Sequence, residues 1–483
     1  MPLGLTIVKA HVIEDATGSK REFLVVQGPT GVLEPLLRYQ LHGEVKGSSE
    51  TWQKQLCQAV ILLLEYADAN QGCFEHVGDL FETFSWRLLT GTTDAAGYDD
   101  SGLYWEPRST QVTNRAINHL TAFSAWLAKN YSVESINPLR KATRPEEFLA
   151  MAGWAHRKEK SFLGHTHRRN KAEEFFRHTP RVGKHRGPSI HHSEPPRFPE
   201  RHFWRLIFEG FVSHPNVTDP LLRLDLRCVL ITLLQHGGSV RTSECFHLWF
   251  QDVTFDPIDP TIALVRIGDP VDGYVRDDSA TGKSEEITRA QYLQKHGFTP
   301  RSRLLGKKRA GWKHPRLDRG MFLHVYWRDP IFGRLFLKVW GMYLDQVARL
   351  PIPGGQPWAF VNLSRLEGRQ GHPMLIGNYR KAHARAVERI GLQSSKADGT
   401  TPHGHRHAFI GWCKDNGVNP LSIQSVAHHK SLDSQLVYTQ PGAKRIREEI
   451  AVANQRAAER NTPVPGVELA QKILEASSVI TLT

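Results

Sequence analysis

The sequence predicts a mainly α fold with a small β-sheet, in the α+β class. Three observations carry this. Apolar residues recur at helical spacing over long stretches, as at Leu56, Val60, Leu63 and Leu64. Strand-like runs bounded by turn residues are few: LTIVKAHVI, EFLVVQG, PTIALVRIG and MFLHVYW. The chain has 483 residues, too many for one ordinary core, so two or three domains are expected.

Residues 1–45 read as a small β-rich segment, two strands separated by EDATGSK. Residues 46–155 change period and read as a helical bundle. SSETWQKQLCQAVILLLEYADAN opens on a serine cap, HVGDLFETFSWRLLTG stops at a glycine, and RSTQVTNRAINHLTAFSAWLAKNY is a third helix. Residues 156–202 carry twelve Lys or Arg against five Glu and read as a basic linker. From 203 to 450 a second folded domain is expected. RHFWRLIFEGFVSH and DPLLRLDLRCVLITLLQHGG are its first helices, and TSECFHLWFQDV a short one. PTIALVRIG and MFLHVYW are its strands, with the polar residues 271–315 between them read as a long loop. FGRLFLKVWGMYLDQVARL is an amphipathic helix. PHGHRHAFIGWCKDNG, NPLSIQSVAHH and SLDSQLVYTQ follow as short helices, with Gly417 as a stop and Pro420 as a start. Two further helices close the chain, the last within a tail at 451–483.

Lys plus Arg number 62 against 49 Asp plus Glu, giving a formal charge of +13 and a pI near 9.5. Such an excess suits a polyanionic partner, because cationic side chains displace counterions from nucleic acid. The five cysteines are scattered, with no CxxC, which argues against a disulfide framework or a cysteine-rich zinc site and for a reducing compartment. MPLGLTIVKAHVIEDATG does not read as a secretory leader, and no apolar run reaches the ~18–20 residues that span a bilayer. A cytoplasmic protein with no membrane partner is expected.

Within TPHGHRHAFIGW, His403, His405, Arg406 and His407 crowd five positions. Alternating histidines on a strand could share a face and bind zinc. A histidine three positions ahead of an arginine could instead grip phosphate. The flanking AFIGWCKDNG has helical spacing, and no carboxylate or cysteine stands nearby, so phosphate is favoured and no metal or cofactor is expected. Two other stretches join this one: GGSVRTSECF, with Arg241 after a glycine pair, and AHHKSLDSQLVYTQ, with Tyr438 nine residues after His429.

In this order the three stretches resemble the tyrosine recombinases, or phage integrases, whose pattern is G-x-R-x-S-E, H-x-L-R-H, then G-H with a tyrosine nine later. Here these are Ser239 to Glu244, His403 to His407, and His428-His429 with Tyr438. The resemblance covers about residues 205–445 and, more weakly, the bundle before it. It implies a helical core-binding DNA-binding domain at 46–155 and a recombinase catalytic domain at 203–450, closing around double-stranded DNA. Arg241 and Arg406 would contact the non-bridging phosphate oxygens and stabilise transition-state charge. Tyr438 would attack phosphorus, giving a 3′ phosphotyrosyl link and a free 5′ hydroxyl, so that a strand is rejoined without ATP. His403 and His429 would handle protons and phosphate, with His407 and Glu244 supporting. A lysine on the loop between two strands would protonate the leaving oxygen. Lys307, Lys308 and Lys313 are candidates, Lys313 slightly preferred.

Three departures stand out. His405 replaces the family's apolar residue, His428 its glycine, and the inter-strand loop is some forty residues longer. The Gly311-Trp312-Lys313 motif and the layout look similar to integrases of mobile-element gene trios. The resemblance implies a homo-oligomeric, tetrameric synapse, with accessory DNA-bending or element-encoded proteins as further partners, in a bacterial, nucleoid-associated setting. The helices after Tyr438 would dock on a neighbouring subunit, or else pack on their own domain. A type IB topoisomerase shares the chemistry but selects no site, and a catalytically silent DNA-binding relative is the third reading.

Overall fold

The computed structural model describes residues 4–13, 20–43, 45–159, 176–187, 196–277, 285–313, 315–364, 369–428, 443–460 and 466–476. Two compact units are drawn from them, one from Met1–His191 and one from His192 onward. Both mix helices with small antiparallel sheets, an α+β architecture dominated by helix.

In the first unit β1 (Thr6–Ile13) pairs antiparallel with β2 (Lys20–Gly28), and β3 (Gly31–Val32) adds to the far edge of β2. Helix α1 (Glu34–Leu41) follows directly. The sequence reading gave this stretch to the β-rich segment. Pro35 in the first turn and the burial of Leu36 and Tyr39 against the sheet make it a helix. Next come α2 (Glu50–Ala69), α3 (Val77–Thr90) and α4 (Thr110–Tyr131). Ser49 caps α2 by accepting from the Trp52 N–H at 3.2 Å. Gly91 ends α3 at φ +82°, where a Cβ would meet the Trp105 carbonyl oxygen at 2.7 Å. Leu56, Val60, Phe84, Ile117, Leu120 and Phe123 form the core. β4 (Leu139–Lys141) precedes α5 (Arg144–Glu159), and β5 (His178–Pro180) returns to pair with β4. Thus part of the stretch read as a basic linker is a strand.

The second unit starts with a helical turn, Phe203–Arg205, running into a π-type turn, Leu206–Gly210. Helix α6 (Leu226–His236) is buried all round at the centre of the core, and α7 (Thr242–Cys245) follows the glycine pair. β6 (Val253–Phe255), β7 (Ala263–Gly268) and a later strand, β10 (Phe322–His324), form a sheet in the order β10-β7-β6. Between β7 and β10, where a loop was expected, stand a hairpin of β8 (Tyr274–Asp277) and β9 (Glu285–Thr288) and helix α8 (Arg289–Lys295). These elements are short and outwardly polar, so they show little apolar periodicity. They bury Val275 and Leu293 against Trp249 and Trp358.

Helices α9 (Pro330–Val347), α10 (Ile376–Arg389), α11 (Pro402–Asp415), α12 (Pro420–Val426), α13 (Ala443–Glu459) and α14 (Val467–Ala476) complete the unit. Gly417, at φ +71°, and Pro420 separate α11 from α12 as anticipated. The tail packs on its own unit. Ile450 and Ala453 join Phe409, Cys413, Val418 and Val426, while Ala470 enters the main core. The stretch SLDSQLVYTQ lies outside the described residues. No described helix is long and apolar enough to cross a membrane.

The inserted hairpin is locked down by a fully buried ion pair. The Arg289 guanidinium bonds the Asp252 carboxylate and lies over the Trp249 ring at 4.3 Å. Gly268 makes room, since a Cβ there would meet the Arg289 guanidinium carbon at 2.5 Å. Asp252→Ala strands a buried guanidinium. It is expected to lower stability by about 3–5 kcal/mol, read as a lower urea midpoint of the full chain.

Candidate active site

Arg241 is the residue before α7 and keeps an extended backbone at φ −69°, ψ 146°. The buried Glu244 accepts from its guanidinium at 2.6 Å and from its backbone N–H at 3.1 Å. Glu244 thereby caps the helix turn and aims the arginine, which keeps partial exposure. Ser239, just before it, sits at φ +59°, in a tight return after Gly237 and Gly238.

Helix α11 carries the second arginine. Arg406 is buried, and its two terminal nitrogens donate to the carbonyls of Ser239 and Ala427. One side chain therefore joins the turn ahead of Arg241 to the end of α12. Burial, followed by the charge of Arg241, pushes the Arg406 guanidinium down to about 10. His403 and His407 share a face of α11, their rings 4.3 Å apart and edge to face. Burial depresses His403 to about 4, with lesser contributions from His407, Arg406, Lys313 and Arg241. His403 is neutral at pH 7.

The alternation that suggested a metal is undone by the helix. His405 points away from His403 and His407 and is fully buried. It stands between two histidines that the sequence reading missed. His405 Nδ1 is 3.1 Å from His236 Nδ1, and His405 Nε2 is 2.8 Å from His383 Nε2. Its ring stacks on Phe198 at 4.2 Å. Beyond His236, Glu200 Oε2 lies 3.2 Å from Nε2, and Arg328 bonds both Glu200 oxygens at 2.8 and 3.0 Å.

His428 adopts the left-handed φ of +51° that glycine favours. Its Nε2–H donates to the His324 carbonyl at 2.8 Å. Burial, then Arg406, press it down to about 3. The neighbouring His429 and Tyr438 lie outside the described residues.

Of the lysines, Lys307 and Lys308 stand on a single helical turn, Gly306–Lys308, and Lys313 on the extended stretch leading to β10. All three are exposed. The Lys313 charge, like those of Arg241 and Arg406, acts on His403.

The structure thus gathers Arg241, His403, Arg406, His407, Lys313 and His428 around one place, with Glu244 bonded to Arg241. Among these residues Glu244 is the single carboxylate. Two guanidiniums and an ammonium against one carboxylate form a receptor for an anion with several oxygens, such as a phosphodiester. His428 could have been suspected from its place beside His429. His236 and His383 carry no sequence signal, since each is meaningful only through partners more than twenty residues away.

No protein-family model matches the chain, and no curated protein matches it. Among solved structures it is similar to XerA recombinase, at 15% identity over 86% of this chain and 97% of that one, with a TM-score of 0.29. A XerH site-specific recombinase bound to palindromic difH substrate in a post-cleavage complex is similar at 11% identity over 88% and 83%, TM-score 0.40. The Tn1549 transposon integrase in complex with transposon right end DNA is similar at 12% identity over 88% and 98%, TM-score 0.39. At these values no residue role passes from them to this chain.

The buried histidines make a pH test. Burial depresses His236 to about 4 and His383 to about 3. In the unfolded chain both titrate near ~6.5, so below that value the unfolded state binds more protons and folding weakens. The urea midpoint should be level above about pH 7 and fall as pH drops through ~6.5 toward ~4. His383→Phe should fall less steeply over that window. An unchanged slope would remove His383 from the account.

Proposed function

We propose that this protein is a site-specific DNA recombinase or integrase of the tyrosine type, cutting and rejoining duplex DNA through a 3′-phosphotyrosyl intermediate formed on Tyr438. The observation that carries the reading is the gathering of Arg241, Arg406, His403 and Lys313 about one place with a single carboxylate. The order Arg241, His403-x-x-Arg406-His407, His429, Tyr438 in the sequence supports it independently.

Arg241 and Arg406 donate to the non-bridging oxygens of the scissile phosphate. Their donors are fixed before substrate arrives, Arg241 by Glu244 and Arg406 by two carbonyls, so little reorganisation accompanies the build-up of charge. His403, neutral and flanked by cations, is suited to bond a phosphate oxygen or to accept the tyrosine proton. His429 contributes a second imidazole, and His407 packs beside His403. Tyr438 attacks phosphorus, the bond to the 5′ oxygen breaks, and Lys313 supplies the proton that oxygen takes. Lys313 is taken as this donor, its charge acting on His403, with Lys308 as the alternative. The reverse sequence, with a different 5′ hydroxyl attacking, rejoins the strand.

Double-stranded DNA is the partner, held chiefly through phosphate, in keeping with the +13 charge. A homo-oligomeric synapse and the integration or excision of a mobile element complete the reading.

Covalent trapping tests it. Full-length protein is incubated with supercoiled plasmid carrying the DNA that flanks its gene, quenched in detergent, and examined for a protein–DNA adduct. The adduct should form with the native chain and vanish in Tyr438→Phe, while gel-shift binding persists. An adduct with Tyr438→Phe would sink the mechanism. Arg241→Ala and Arg406→Ala should each slow cleavage by about 10²–10³-fold, the usual loss for one fixed donor to a developing oxyanion, and should slow rejoining of a nicked suicide duplex as well.

A further inference from the structure

Lys313 is exposed and belongs to no helix or strand. An ammonium on a flexible four-carbon stem is a poor proton donor unless its backbone is held. The residue before it is held. Trp312 is only 8% exposed, and its indole N–H donates to Asp269 Oδ2 at 2.8 Å. Asp269 is itself fixed at the end of β7. Its backbone N–H donates to the Met321 carbonyl at 2.8 Å, and its Oδ1 accepts from the N–H groups of Val271 and Asp272 at 2.9 and 3.0 Å.

The other side of the indole meets His247 edge to face, with centroids 5.2 Å apart. His247 is fully buried, and its Nε2–H donates to the Ala310 carbonyl at 3.0 Å. Its own backbone N–H donates to the Glu244 carbonyl at 3.0 Å, in the turn that begins with Arg241. The stretch 308–310 is pinned as well: Arg301 Nε donates to the Lys308 carbonyl at 3.2 Å, and the Ala310 N–H donates to the Arg301 carbonyl at 3.1 Å. Of these fixed points Trp312 stands nearest the lysine, one residue before it.

We propose that Trp312 is the positioning residue for Lys313. Bonded to Asp269 and packed on His247, the indole ties the lysine-bearing stretch to the end of β7 and to the turn that carries Arg241. The inference rests on the reading above, in which Lys313 gives its proton to the 5′ oxygen. In that step the bond from the tyrosine oxygen to phosphorus forms, the bond from phosphorus to the 5′ oxygen breaks, and one proton passes from the lysine ammonium to that oxygen. Trp312 touches none of the reacting atoms. Its loss should harm protonation of the leaving group and spare the arginine contacts.

That selectivity can be read directly. A duplex with sulfur in place of the bridging 5′ oxygen expels a thiolate, the base of a thiol of pKa about 8.5, which leaves without a proton. Full-length native protein, Trp312→Phe, Asp269→Asn, Lys313→Ala and Arg241→Ala are compared in single-turnover adduct formation. The substrates are duplexes carrying the mapped cleavage position, with the ordinary or the sulfur bridge. Trp312→Phe and Asp269→Asn should lose about 10–10²-fold on the ordinary duplex, a part of the ~10²–10⁴-fold that general acid catalysis supplies. On the sulfur duplex both should recover to near the native rate, as Lys313→Ala does, while Arg241→Ala stays slow on both.

Equal losses of both tether variants on the two duplexes would make the tether structural only and overturn the proposal, as would no loss on the ordinary duplex. Failure of Lys313→Ala to recover would remove the proton donor itself, and the proposal with it. No adduct from the native protein on either duplex would overturn the recombinase reading beneath both.

Discussion

The second unit depends on a buried polar chain running from Arg328 and Glu200 through His236 and His405 to His383. Two proton orders are open at His236 Nε2, which faces both Glu200 Oε2, an acceptor, at 3.2 Å and an Arg328 terminal nitrogen, a donor, at 3.1 Å. In the first order His236 Nε2 donates to Glu200 and His236 Nδ1 accepts. His405 then donates from Nδ1 and accepts at Nε2 from His383. This leaves the lone pair of His383 Nδ1 as the one ring atom without a partner. The reverse order would leave a buried N–H there, and orphaned buried N–H groups are the rarer and costlier kind. Any added proton would lack an acceptor, so all three rings stay neutral. The chain fixes the inner face of α11, and with it the outer face that carries His403 and His407.

The same constraint makes sense of His405. The wall it faces contains His236 and His383, and an imidazole there meets both. His428 takes a left-handed backbone while its ring bonds the His324 carbonyl at the end of β10. The long segment between β7 and β10 is held by Arg289, Asp252 and Trp249 rather than left loose. Each of these has its partner within this unit.

Much of this was legible in the sequence where a signal is local. Ser49, Gly91, Gly417 and Pro420 each act on their own neighbours, and helix periodicity located α2, α4, α9 and α11. The grouping of Arg241 with the 403–407 cluster came from the resemblance to the tyrosine-recombinase pattern. What escaped depends on distant partners. Helix α1 is short and shaped by the sheet it covers. The β8–β9 hairpin has four-residue strands whose few apolar side chains meet Trp249 and Trp358 from other elements. His236, His383, Glu200 and Arg328 are unremarkable singly, and are paired across 22 to 169 positions.

The two arginines can be told apart by counting donors. A guanidinium has five N–H groups. Arg406 commits one on each terminal nitrogen to a backbone carbonyl, and being buried it cannot swing away. Arg241 commits one to Glu244 and retains exposure. The first is therefore a fixed post whose remaining donors are set by the backbone of two loops. The second is held at one nitrogen by Glu244 and keeps its remaining donors at the surface. Burying Arg406 beside Arg241 costs free energy, visible in its depressed basicity, which the Glu244 carboxylate offsets only in part. On the proposed function a bound phosphodiester relieves that cost, and relieves more of it as the phosphate gains charge toward a five-coordinate transition state, which is the condition for accelerating its transfer rather than only binding it.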